Sequence, residues 1–402
     1  MKAFIKKYRL ELMFGMVLFT YFLYYVPHID DLISWCVTPY AMSYRFGFIS
    51  RGLIGTIIRL LIPNLTITHI YLIITLNTII LCILTVYFLS RIIRKCVPES
   101  YYAVVYMAFL FLVNPGSIAF LFYYGNYGRL DLFMIIILLL SALAIIYDRC
   151  LWTIPLMCVA GIMIHQAFLF MYFPAIFGLM AYYIIVKKDR RYVPYLAVTT
   201  VLTGAMFLYM QFFGNSIHGY TYEEVMTIIN NTTAIPGDFI EYDMMVRLEY
   251  YTSCFDTIET FVIESIPMNL FKLAMILVLM SPMILLVKRF WKDFVGNTGK
   301  KMSVMLPLIS LIGLIPKFVM TNDYGRDFSA LIISEFVMMF VLYAKNDEAM
   351  RKSFATLQEN FKKNAIFYLF VIIMAGAIGK FEAAKILEIT SRIYEMLIAY
   401  IY

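Results

Sequence analysis

Residues 131–147 read DLFMIIILLLSALAIIY, an apolar run in which the first residue, an aspartate, is the only charged side chain. A helix of this length would be about 25 Å long, close to the ~30 Å hydrocarbon core of a bilayer. We therefore predict a transmembrane helix here. Similar apolar runs occupy residues 10–26, 67–90, 102–122, 193–213, 267–287, 303–320, 328–344 and 364–379.

The composition agrees with a membrane protein. The chain has 402 residues, of which 62% are hydrophobic and 15% charged, and its mean hydropathy is +0.81. Soluble proteins are about 45–50% apolar and about 25% charged. This excludes a soluble enzyme, a nucleic-acid-binding protein and a secreted disulfide scaffold. We predict one integral all-α membrane domain over residues 1–402, in contact with the lipid bilayer.

Basic residues predict which side of the membrane each loop occupies. The basic segment 1–9 and the cluster at 187–191 belong in the cytoplasm, because Lys and Arg collect on that side. Residues 152–186 would form a helix of about 52 Å, too long for one crossing. We predict a hairpin of short helices that turns near His165 and Gln166 on the outer face. This gives about eleven spans with a cytoplasmic N-terminus.

Two long loops and a terminal helix complete the predicted topology. The outer loops cover about 27–66 and 214–266, and Thr221 to Glu224 in the second loop match a capping box that begins a helix. Residues 383–402 have charged side chains on one helical face and apolar ones on the other. We expect an amphipathic helix at the membrane surface there.

The first candidate site is an acidic pair just after the first span. Asp30 and Asp31 follow His28 at the start of the first outer loop. Two adjacent carboxylates are suited to act as a general base, or to bind a divalent cation together with His28. The plainer interpretation is a solvated loop that caps the following helix.

The second candidate site contains two arginines on the side where the positive-inside rule disfavours them. Arg45 and Arg51 stand among Gly47, Gly52 and Gly55, which allow close approach of a ligand or another helix. Arginine binds phosphate through two parallel hydrogen bonds. The plainer interpretation is that both side chains extend to outer-leaflet headgroups.

The third candidate site is a pair of similar segments, NYGRLD at 126–131 and NDYGRD at 322–327. Each precedes a span, so each places an arginine beside a helix N-terminus, which itself favours anions. The two segments predict a clamp for phosphate or pyrophosphate. In the plainer interpretation, the aspartates cap their helices and pair with the arginines. The candidate substrate-binding residues are Asn126, Arg129, Asp131, Asp323, Arg326 and Asp327.

The fourth candidate site is His165 with Gln166, at the apex of the predicted hairpin. This histidine would act as a general base or as a hydrogen-bond donor to a sugar; the plainer interpretation is a satisfied core histidine. The chain has no Walker loop, GxGxxG, GxSxG or HExxH motif. We therefore expect no resident cofactor, while a divalent cation is allowed but not required.

The topology, the acidic first loop and the outer arginines resemble two groups of envelope enzymes. GT-C type glycosyltransferases have a carboxylate in the first outer loop and use polyprenyl-phosphate sugars, which implies a catalytic role for Asp30 or Asp31. The arginines resemble those of Wzy-type polysaccharide polymerases, which implies contact with a lipid pyrophosphate. Arg45 and Gly55 are one residue too close to match the Arg-x10-Gly element of those polymerases.

These observations predict an outer-face transferase or polymerase of undecaprenyl-linked glycan units in the bacterial cytoplasmic membrane. Its base would be Asp30, Asp31 or His165, and the pathway's flippase and chain-length regulator are candidate partners. A flippase or other transporter is the alternative. It predicts charges near the bilayer midplane and internal repeats of several spans, whereas the mid-span stretches are almost free of charge, except for Lys317 close to an outer end. A membrane acyltransferase is a third option, but His165 has no paired Asp or Asn at the usual kind of spacing. A structural membrane subunit would leave the outer arginines unexplained.

Overall fold

The computed structural model describes residues 8–214, 220–240, 266–320 and 323–377. Most of these residues are helical and only four of the described residues belong to strands, which confirms the all-α prediction. The helices before the second long loop are α1 Arg9–Tyr25, α2 Ser34–Ala41, α3 Gly52–Leu61, α4 Ile67–Ile93, α5 Tyr101–Val113, α6 Asp131–Tyr147, α7 Thr153–Ile164, α8 Phe168–Met171, α9 Phe173–Ile185 and α10 Tyr192–Phe213. Those that follow are α11 Tyr222–Thr232, α12 Ile266–Leu279, α13 Ser281–Thr298, α14 Met305–Met320, α15 Tyr324–Ala344, α16 Glu348–Lys363 and α17 Ala365–Ala377.

Within these described ranges, five helical segments are long and apolar enough to cross a membrane, and a sixth is formed if two helices bent by 71° count as one span. The other predicted spans with apolar helices, such as α6 and α7, are shorter, so the count of eleven stays a prediction. The long segments are Ile67–Ile93, Tyr101–Phe122, Tyr192–Phe213, Lys301–Phe318 and Tyr324–Ala344, and the bent pair is Leu273–Leu279 with Ser281–Thr298.

Helix α15 is the centre of the bundle. Every side chain in it except Leu331 is buried, and it packs against α6, α9 and α14. The expectation that Lys317 is the one exception among nearly uncharged mid-span stretches is wrong, because Glu335 lies in the middle of α15 with 6% of its surface exposed. Within the described part of the chain neither oxygen of the Glu335 carboxyl makes a hydrogen bond of normal geometry, and the indole of Trp291 is the polar group that interacts with it.

One end of the bundle is closed by a network of charged groups. Asp148 follows α6 and lies 2.6 Å from Nζ of Lys345, which follows α15. Lys345 also contacts the hydroxyl of Tyr192 at 3.1 Å, and Lys187 pairs with Asp347 at 2.7 Å. We call this the opposite end, because α6 and α15 both begin at the other end, which we call the site end.

Residues 152–186 leave the opposite end and return to it. They follow Asp148 and are followed by Lys187, and both of these residues belong to the network just described. Between them the chain breaks at His165, which lies at the site end. This is the geometry of a helical hairpin, formed by α7 on the way out and by α8 and α9 on the way back.

Two loops meet at the site end through a short parallel β pair. Strand β1, Leu65–Thr66, pairs with strand β2, Thr233–Ala234, and Arg59 donates a hydrogen bond to the carbonyl of Thr232 at 3.1 Å. The capping box predicted at the start of α11 is confirmed, because the side chains of Thr221 and Glu224 bond to each other's backbone N–H groups. The loops around 27–66 and 214–266 are therefore in contact.

The described residues do not include every predicted feature. The amphipathic helix expected at 383–402 and residue Asn322 lie outside them, as do residues 215–219 and 241–265 of the second long loop. The remaining candidate site residues all belong to the described ranges.

Candidate functional site

The site is built where helices α6 and α15 begin. Both helices run from the site end to the opposite end, so they are parallel and their N-termini lie side by side. The guanidinium of Arg326, in the first turn of α15, donates from Nε to Oδ1 of Asp131, the first residue of α6, at 2.8 Å. Both side chains are almost wholly buried. The two similar segments predicted as a clamp are therefore in direct contact.

The loop before α6 has a fixed path. Asn126 is buried and donates from its amide to the carbonyl of Phe120 at 2.9 Å. Tyr40 of α2 donates to the carbonyl of Gly128 at 3.0 Å, and Gly128 has a φ of +93°, which favours glycine. Arg129 follows at once and donates from Nε to the carbonyl of Gly125 at 3.2 Å. The position of the Arg129 side chain thus depends on α2 and on the turn at Gly128.

The loop before α15 has a different electrostatic arrangement. Arg326 faces a second carboxylate, because its Nη1 lies 3.8 Å from Oδ2 of Asp323. Asp327 is completely buried behind it, 3.7 Å from Nζ of Lys317 in α14. Neither oxygen of Asp327 has a hydrogen-bond partner among the described residues. Aspartates therefore lie close to both cations here: Asp323 is near Arg326, and Asp327 is near Lys317.

Arg129 and Arg326 are consequently not equivalent. Asp131 and Asp323 both lie near the guanidinium of Arg326. Within the described ranges Arg129 makes no ion pair with a carboxylate within 4.0 Å, and it is only partly buried. Because its Nε bonds a backbone carbonyl, the two terminal nitrogens of Arg129 remain suited to an external anion.

His165 is held in one tautomer by the break between α7 and α8. Its Nδ1 accepts a hydrogen bond from the backbone N–H of Ala167 at 3.1 Å. An amide N–H can only donate, so Nδ1 carries a lone pair and the proton of the neutral ring is on Nε2. The imidazole therefore presents a donor from its second nitrogen. This favours the hydrogen-bond donor role predicted for His165 over the general base role.

Arg51 reaches the same place from the first outer loop. It has a φ of +68° and stands just before α3. A Cβ added at Gly55, in the following turn, would lie 1.8 Å from the carbonyl oxygen of Met42. Gly55 therefore allows α3 to approach the backbone after α2, which is the helix contact predicted for these glycines.

These elements enclose one cleft. Its volume is about 50 Å³, which is room for several water molecules or one phosphate-sized group. The lining contains three arginines and two aspartates, so positive charge is in excess. The lining residues are Trp35, Pro39, Arg51, Arg129, Leu130, Asp131, His165, Asp323 and Arg326.

Asp323 is the partly exposed carboxylate of the cleft. Burial raises its pKa, but the positive charges of Arg129, Lys317 and Arg326 outweigh this effect and hold the pKa below the ordinary value for an aspartate. The group is therefore ionised at neutral pH. It is able to accept a hydrogen bond or a proton from a hydroxyl brought into the cleft.

Six of the predicted site residues line the cleft and six do not. Asp30, Asp31 and Arg45 are exposed at the site end outside the lining. Asn126 and Asp327 are buried behind it and Gln166 is half-buried beside it. The residues brought together are Arg51, Arg129, Asp131, His165, Asp323 and Arg326.

Sequence reasoning missed the apolar side of the cleft, formed by Trp35, Pro39 and Leu130. Trp35 had one usable signal, because it is one of only three tryptophans and stands in the first outer loop. The sequence places Lys317 near the outer end of a span, but it does not reveal that Lys317 pairs with Asp327.

No protein-family model, curated protein or solved structure matches this chain. The site is therefore interpreted from its own geometry. Within the described ranges there is no group of three or more His, Cys, Asp or Glu side chains with the arrangement of a metal site.

Proposed function

We propose that this chain is a membrane glycosyltransferase that uses lipid-linked glycan units as donors, as a polymerase or a single-sugar transferase. The observation that carries the proposal is the convergence of Arg51, Arg129, His165 and Arg326 on one cleft between two helix N-termini. These groups come from four separate segments of the chain. Such a concentration of donors is suited to a phosphate or pyrophosphate group.

The proposed chemistry uses these donors on the leaving group. An acceptor hydroxyl oxygen bonds to the anomeric carbon of the donor sugar, and the bond from that carbon to the phosphate oxygen breaks. The lipid (pyro)phosphate leaves with the electron pair, and Arg129, Arg51 and the Nε2–H of His165 stabilise its developing charge. The activated donor supplies the driving force, so no nucleotide site is required.

The acceptor proton requires a base, and Asp323 is the carboxylate best suited to this role. It lines the cleft, is ionised at neutral pH and is partly exposed. Asp131 also lines the cleft, but its Oδ1 is engaged by Arg326 at 2.8 Å. The roles predicted for Asp30 and Asp31 stay predictions, and the geometry favours Asp323.

The proposed location is the bacterial cytoplasmic membrane with the cleft facing outward. Lys187, Arg191 and Lys345 gather at the opposite end, which is the distribution that the positive-inside rule associates with the cytoplasm. The pathway's flippase would supply units to this face, and a chain-length regulator would act on the product.

Cysteine labelling tests this orientation. Cys150 is exposed near the opposite end, and Arg45 is exposed at the site end. A membrane-impermeant maleimide added to intact cells should label Arg45→Cys, while Cys150 should react only after the membrane is opened. The reverse pattern would place the cleft in the cytoplasm and would overturn the outward orientation.

The transferase proposal is tested by complementation of a deletion strain. Arg129→Ala should lower the lipid-linked glycan product by about 100-fold, the cost of losing one donor to a developing charge. Arg45→Ala is the matched control, because it removes an exposed arginine from the same end without altering the cleft. Equal product from both variants at equal membrane levels would contradict the proposal.

Transport of lipid-linked glycans remains the second candidate, and Glu335 favours it. A buried carboxyl in the middle of α15 is the kind of residue that transporters use in the membrane interior. Purified protein in detergent separates the two functions. Without a bilayer a transporter has nothing to move its substrate across, whereas a transferase can still form product. Formation of a new glycosidic bond from lipid-linked units supports the transferase. Transport would be supported by two results together. The purified protein forms no glycosidic bond, and liposomes with the Glu335→Gln variant do not flip the lipid-linked units that wild-type liposomes flip.

A further inference from the structure

One wall of the cleft is apolar, which binding of a bare phosphate group does not explain. Trp35 and Pro39 lie four residues apart in α2, so they share one face of that helix, and both line the cleft with Leu130. The three arginines, His165, Asp131 and Asp323 line the rest. A two-sided cleft of this kind fits a ligand with an anionic part and an apolar part.

The neighbouring face of α2 is attached to the loop that carries Arg129. The thiol of Cys36 contacts the carbonyl of Gly125, and the hydroxyl of Tyr40 donates to the carbonyl of Gly128 at 3.0 Å. A Cβ at Gly128 would lie 3.3 Å from Cβ of Cys36, so the two segments pack closely. Trp35 and Arg129 are therefore held in a fixed relation to each other.

We propose that Trp35 is the platform for the sugar ring attached directly to the lipid phosphate, an inference that rests on the proposed function. One face of a pyranose ring consists of C–H groups, which pack on an aromatic ring and lose contact with water. The cleft is open on one side, so with the phosphate at Arg129 the attached ring would extend from the mouth of the cleft along the indole of Trp35. The hydroxyl edge of the sugar would remain near Asp323 and His165.

Binding to two probe lipids tests this role. The probes are a short-chain polyprenyl pyrophosphate and the same lipid with N-acetylglucosamine attached, measured with purified full-length protein in nanodiscs. Wild-type protein should bind the sugar-bearing lipid about tenfold more tightly, a difference of about 1.4 kcal/mol. Trp35→Ala should abolish this preference, so that both lipids bind with equal affinity. Trp35→Phe, which keeps an aromatic face, should retain part of the preference.

Trp152→Ala is the control, since this exposed tryptophan lies near the opposite end. Arg129→Ala should weaken binding of both lipids. If it weakens neither, the proposed function fails. If it weakens both while Trp35→Ala keeps the sugar preference, only the role of Trp35 is overturned.

Fluorescence provides a test that does not depend on the folding of Trp35→Ala. In a variant with Trp152→Phe and Trp291→Phe, Trp35 is the only tryptophan in the chain. The sugar-bearing lipid should change its emission more than the bare lipid does. Equal emission changes with both lipids would overturn the proposal.

Discussion

Nε of Arg326 lies 2.8 Å from Oδ1 of Asp131, and this ion pair joins the first turns of two parallel helices that are distant in the sequence. Both side chains are almost wholly buried. Removing charges from water costs several kcal/mol per ion, so each group requires the other. The pair therefore holds α6 and α15 together in the wall of the cleft.

We expect Arg326→Ala to lower the free energy of unfolding by about 3–5 kcal/mol, because Asp131 is then a buried charge without its main partner. The double variant Asp131→Leu with Arg326→Met should recover most of the loss. Denaturant unfolding in detergent micelles measures both effects. Lys352→Ala, which breaks an exposed pair with Glu348, is the control and should produce no measurable change. A fully stable Arg326→Ala would show that the pair does not hold the helices.

The tautomer of His165 leads to a second prediction. A glutamine side chain can present an N–H close to the position of Nε2, whereas phenylalanine cannot. If His165 donates to the substrate, His165→Gln should retain most of the affinity for polyprenyl pyrophosphate. His165→Phe should lose about 10- to 100-fold, the value of a hydrogen bond to a charged group. If His165 is instead the base, both variants should bind normally and both should fail to form product.

The third prediction concerns which carboxylate at the site end acts as the general base. Asp323→Asn should lower transfer by at least about 100-fold while leaving lipid binding intact, as expected for loss of a general base. Asp30→Asn and Asp31→Asn are the matched variants, because both residues are exposed outside the cleft lining. If Asp323→Asn transfers sugar normally and either matched variant loses transfer, the general base is in the first outer loop.

The depressed pKa of Asp323 predicts that the stability of the wild type and of Asp323→Asn depends differently on pH. An aspartate whose pKa is lower in the folded state stabilises the protein above its ordinary value of 3.8, and this stabilisation is lost as pH falls through the folded value. Acid unfolding of the wild type should therefore include a component below about pH 3.8. Asp323→Asn should lack that component. An identical acid profile for both proteins would mean that the surrounding cations do not act on Asp323.

The sequence predicted the cationic part of the cleft and missed its apolar wall. Arg51, Arg129, His165 and Arg326 all follow or precede apolar runs on one predicted side, so sidedness assigns them to one end of the bundle. It assigns Arg45, Asp30 and Asp31 to the same end, although these three do not line the cleft. Which residues of the first outer loop reach the cleft depends on how α2 packs against the Gly128 turn. That contact joins distant segments, and no local pattern encodes it; Trp35 was therefore missed.

The burial of Glu335 illustrates the same limit. Its neighbours in sequence are apolar, so the run at 328–344 reads as an ordinary span. Only the packing of α15 at the centre of the bundle shows that this carboxyl is enclosed on all sides. A hydropathy pattern identifies the span but not the helices that surround it.

The last prediction concerns Gly55, whose missing side chain allows α3 to pack against the backbone after α2. A methyl group there would meet the carbonyl oxygen of Met42, a backbone atom that cannot rotate away. We expect Gly55→Ala to lower the free energy of unfolding by about 1–3 kcal/mol and to weaken lipid binding, because α3 carries Arg51 into the cleft. Gly15→Ala is the control, since no atom lies within 4 Å of the added carbon, and alanine favours a helix. Equal stability and binding in both variants would show that Arg51 does not depend on this contact.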